Sequence, residues 1–72
     1  MGTKNNPGKY DCYEKADPDE PMFTLLARDA NAPALVRQWA DIRSQMHGDD
    51  EKVAEALQCA DNMEIWRRGQ SA

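Results

Sequence analysis

The chain has 72 residues, room for a single domain, and chains of that size usually need a disulfide, a metal or a partner to be comfortably stable. Its formal net charge of −4 and isoelectric point near 4.7 argue against a general nucleic-acid binder, which needs a basic stripe to displace counterions from phosphates. Two cysteines without CxxC spacing do not make a disulfide-dense secreted scaffold, no charged stretch precedes an apolar one in the manner of a signal peptide, and no apolar run approaches membrane-spanning length. The expectation is a cytoplasmic protein with reduced thiols, Cys12 and Cys59 being the one pair that could bridge. The sign of charge is uneven: residues 1–20 carry −2, residues 21–48 carry +1 and residues 49–72 carry −3. The middle third is therefore the place for an anionic ligand.

In chain order, MGTKNNPG (residues 1–8) has no apolar period and reads as a mobile arm. KYDCYEKA (residues 9–16) spaces Tyr10, Tyr13 and Ala16 three apart, the pattern of a short helix or turn. DPDEP (residues 17–21) is a turn, because Pro18 and Pro21 fix their own φ and push the residues before them toward extended conformations. MFTLLAR (residues 22–28) then reads as a β-strand, with Phe23, Leu25 and Ala27 on one face and Met22, Thr24, Leu26 and Arg28 on the other. The same residues allow a helix with Asp17 as N-cap, Pro18 at its first position and Glu20 completing a capping box.

Asn31 is a suitable N-cap for a helix over residues 32–47, with Pro33 in its first turn. Leu35, Trp39, Ile42 and Met46 recur at helical spacing and mark its inner stripe, and Gly48 is the stop. A second helix over residues 50–68 is capped by Asp49 and ends at Gly69, leaving residues 70–72 as a tail. Asp50 and Glu51 in its first turn and Arg67 and Arg68 in its last match the helix dipole. Val53, Ala56, Leu57, Ala60 and Met63 form its inner stripe. The short connection favours an antiparallel helical hairpin.

The fold class that follows is α+β over residues 9–69: one strand, with a hairpin packed on it through Leu35, Trp39, Ile42, Val53, Leu57 and Ala60. A lone strand leaves a row of open backbone donors and acceptors, so pairing between two copies is the natural completion. Phe23, Leu25, Leu26 and Trp66 are the candidate self-association residues, Trp66 sharing a second stripe with Cys59 and Met63.

Arg28, Arg37 and Arg43 are the candidate anion contacts, since arginine presents a planar fork to phosphate or carboxylate. Arg28 stands just before a helix N-terminus, where backbone donors already favour anions. The plainer account leaves these arginines solvated or paired with Asp29 and Asp41. The acids Asp11, Glu14, Asp17, Asp19 and Glu20 read either as a mimic of a phosphate backbone or, more simply, as solubilising surface. His47, Asp49, Asp50 and Glu51 supply metal-ligand chemistry at one junction, but capping already accounts for most of these acids, and no metal or other cofactor is expected. Neither cysteine has a base and orienting partner beside it, so no catalytic residue is assigned. A helix-turn-helix reader fails on sign, because Glu51, Glu55, Asp61 and Glu64 would face phosphate.

The order DEPMFTLLARD (residues 19–29), APALV (residues 32–36), QWA around Trp39 and KVAEALQCADNMEIW (residues 52–66) resembles a group of small accessory proteins of tailed bacteriophages and prophages. The resemblance spans most of the chain and brings no catalytic residue with it. It implies a non-virion product in the bacterial cytoplasm, a context in which small proteins bind a host protein or sequester a signalling nucleotide. The expected role is thus a non-enzymatic homo-oligomer that engages a host factor, with a nucleotide sponge and a structural phage component as alternatives.

Overall fold

The computed structural model describes residues 2–8 and 15–70. It contains two helices, α1 (Ala32–His47) and α2 (Glu51–Gln70), packed as a hairpin. Among the described residues there is no β-strand, so the fold is helical and the α+β expectation is corrected. Residues 9–14, which include most of the segment expected as a short helix or turn and also Cys12, lie outside the described residues.

The strand expected over residues 22–28 is displaced by the turns on either side of it. The Glu20 N–H donates to the Asp17 carbonyl at 3.0 Å, and the Asp17 N–H donates to the Glu20 carboxylate at 3.1 Å. These bonds close one turn of the kind a capping box makes, but Pro21 has no N–H to extend it and disfavours the helical region at Glu20. Residues 21–26 then run without regular structure. Chain direction changes again at once: the Asp29 N–H donates to the Leu26 carbonyl and the Ala32 N–H to the Asp29 carbonyl, so Ala27 and Arg28 lie in a turn. Alternating apolar residues describe a strand only where a neighbouring strand supplies the ladder, and the described chain offers none.

Helix α1 has the expected limits. Asn31 stands at the capping position without a side-chain capping bond, its N–H instead donating to the Asp29 carboxylate at 2.9 Å. Asp29 therefore organises the entry to the helix, and Pro33 sits in the first turn where a missing N–H costs nothing. At the other end Gly48 has φ 79°, the left-handed region that glycine enters without steric cost, and its N–H donates to the Ser44 carbonyl at 2.8 Å.

Helix α2 starts one residue later than expected. Asp50, not Asp49, is its cap, accepting the Val53 N–H at 2.9 Å, while Asp49 accepts the Ser44 hydroxyl. The helix also continues through Gly69 to Gln70, since a glycine near an exposed end weakens a helix without obliging it to stop.

The core is made of small residues. Ala32, Ala40, Val53, Ala56 and Ala60 are buried, Val36 packs against Ala40, Val53 and Ala56, and among the described residues no large side chain is fully buried. This overturns most of the expected core. Val53 and Ala60 belong to it, but Leu35, Trp39, Ile42 and Leu57 are exposed on its flanks. On α1 the buried Ala32 and Ala40 and the partly buried Val36 follow a stripe displaced by one residue from Leu35 and Trp39, which is a rotation of about 100°. Alanine and valine let the two backbones come together, whereas leucine and tryptophan at the seam would hold them apart.

Candidate functional site

Rolling α1 in this way gives the hairpin two unlike flanks. On one flank Arg37 reaches across to α2, bonding Asp61 at 2.8 Å and also Glu64. Glu64 is in turn 3.5 Å from Arg68 one turn on. The two carboxylates, Asp61 first, raise the Arg37 pKa and hold the guanidinium charged. Leu57 shares the helical stripe of Asp61, Glu64 and Arg68 and so belongs to this charged flank.

On the other flank lie Leu35, Trp39, Ile42 and Met46 of α1. The Lys52 ammonium of α2 approaches the Trp39 ring at 5.7 Å from its centre, and the Arg43 guanidinium approaches it at 5.8 Å. Lys52 begins the α2 stripe that continues through Cys59, Met63 and Trp66, so these residues are on the same side as Trp39. Trp39 is 40% exposed, Ile42 49%, Trp66 49% and Met46 72%. Burial raises the pKa of the half-buried Cys59 thiol, with Glu55 adding in the same direction, and so keeps it protonated near neutral pH.

The three candidate anion contacts are not brought together. Arg37 serves the charged flank. Arg43 lies six residues further along α1, about 9 Å in axial rise, where it pairs with Asp50 at 3.1 Å and covers Trp39. Arg28 is exposed in the turn before α1. Hydrogen bonds from the Val53 N–H first, and then from Arg43, lower the Asp50 pKa. The carboxylates that pair with the arginines of α1 thus come from α2 and its cap, not from Asp29 and Asp41 as the plainer account had it. Among the described residues no group of three metal-ligating side chains converges, and Asp49 and Asp50 are engaged as described above.

Of the proposed self-association residues, Phe23 is 87% exposed, Leu26 and Trp66 are exposed and Leu25 is half-buried. Phe23 borders an open hollow of about 340 Å³ formed with Lys15, Ala16 and neighbours at 20–24. Among the described residues its walls come from one short stretch of chain, with Lys15 and Glu20 as its ionisable members. Sequence reasoning placed Ala56 and Ala60 of α2 on the inner side, where they are, but put the large apolar stripe of α1 inside the hairpin; the signal it passed over was Ala32 and Ala40.

No family model, curated protein or solved structure matches the chain. No helix among the described residues is long and apolar enough to cross a membrane.

Proposed function

We propose that the chain is a small, non-enzymatic binding protein of phage type that acts in the bacterial cytoplasm on a host protein. The observation that supports this reading most is the placement of its large apolar side chains. The hairpin closes on alanine and valine, while Phe23, Trp39, Ile42, Met46 and Trp66 stay at the surface. Scattered exposed apolar residues are ordinary, but an apolar helical flank together with a nearly bare phenylalanine in the segment before α1 is the composition of a contact surface. Phe23 is the anchor: it lies between the Asp17–Glu20 and Leu26–Asp29 turns, and a buried aromatic anchor is the usual centre of binding energy.

The test is affinity capture from bacterial extract with the intact chain and with Phe23→Asp. The proposal expects one dominant bacterial protein with the intact chain and its loss with the variant. Equal capture by both would remove Phe23 from the contact, and the absence of any enriched protein would remove the host-factor role.

A further inference from the structure

We draw no further inference here: the strongest candidate, the apolar flank of the hairpin formed by Leu35, Trp39, Ile42, Met46 and Trp66, carries nothing beyond the reading above, because nothing in the structure shows what covers it.

Discussion

The Lys52 ammonium lies 5.7 Å from the centre of the Trp39 ring, so the first turn of α2 is held to the middle of α1 by a cation on an indole. Arg43 takes a second position on the same ring while its guanidinium also pairs with Asp50, the cap of α2. Trp39 therefore ties together the two ends of the inter-helix turn, from a position outside the buried seam. Exposed cation–π contacts contribute about 0.5–1 kcal/mol each. Trp39→Leu, which keeps an apolar side chain but removes the π face, is expected to destabilise the protein by about 1 kcal/mol in urea unfolding.

Asp50 gives the hairpin an acid-sensitive hinge. Its pKa is lowered from the ordinary value of 3.8 by the Val53 N–H and then by Arg43, so the folded state favours the ionised form. A depressed carboxyl pKa contributes stability that is present above the unfolded value and is lost as pH falls through the folded one. The melting temperature is expected to drop below about pH 4. In Asp50→Asn that part of the acid transition should be absent, which melting curves across pH will show.

The seam tolerates small side chains only. Ala56 is fully buried between the helices, and Ala56→Leu would drive three extra carbons into a close-packed contact. A loss of about 1–3 kcal/mol is expected in chemical denaturation, although leucine is the more apolar residue and a good helix former. A stabilised Ala56→Leu variant would contradict the small-residue seam.

Cys59 should react slowly. Because burial raises its pKa, a smaller thiolate fraction is available at neutral pH than in a free cysteine, and access to it is also reduced. In a Cys12→Ser background, alkylation at pH 7 is expected to be slower than for a model thiol and to reach the model rate once the chain is unfolded in urea.

The helical part of this fold is written locally, and it is the part that sequence reasoning reads correctly. Pro33 and Gly48 punctuate α1 at positions that depend on backbone chemistry alone, and Glu51 in the first turn and Arg67 and Arg68 in the last turn of α2 follow its dipole. The rotation of α1 is a different matter. A stripe of Leu35, Trp39, Ile42 and Met46 satisfies a helical period as well as Ala32, Val36 and Ala40 do, and size alone favours the first. Close approach of the backbones decides for the second, and that is a property of both helices together. The strand failed for a related reason: MFTLLAR alternates correctly, but its fate is set by hydrogen-bonded turns at Asp17–Glu20 and Leu26–Asp29 and by the lack of a neighbouring strand among the described residues. The arginines were identified as the cations of interest, but their separation onto different flanks depends on where α2 places Asp61, Glu64 and Asp50.

The account turns on large apolar residues being surplus to the fold and available for contact, and Phe23 is the most exposed of them. The most direct measurement is capture of a bacterial partner by the intact chain and by Phe23→Asp, two proteins that should share one melting temperature because Phe23 packs against little. The account predicts equal melting and loss of the captured protein in the variant. Undiminished capture by Phe23→Asp at equal melting temperature would contradict it.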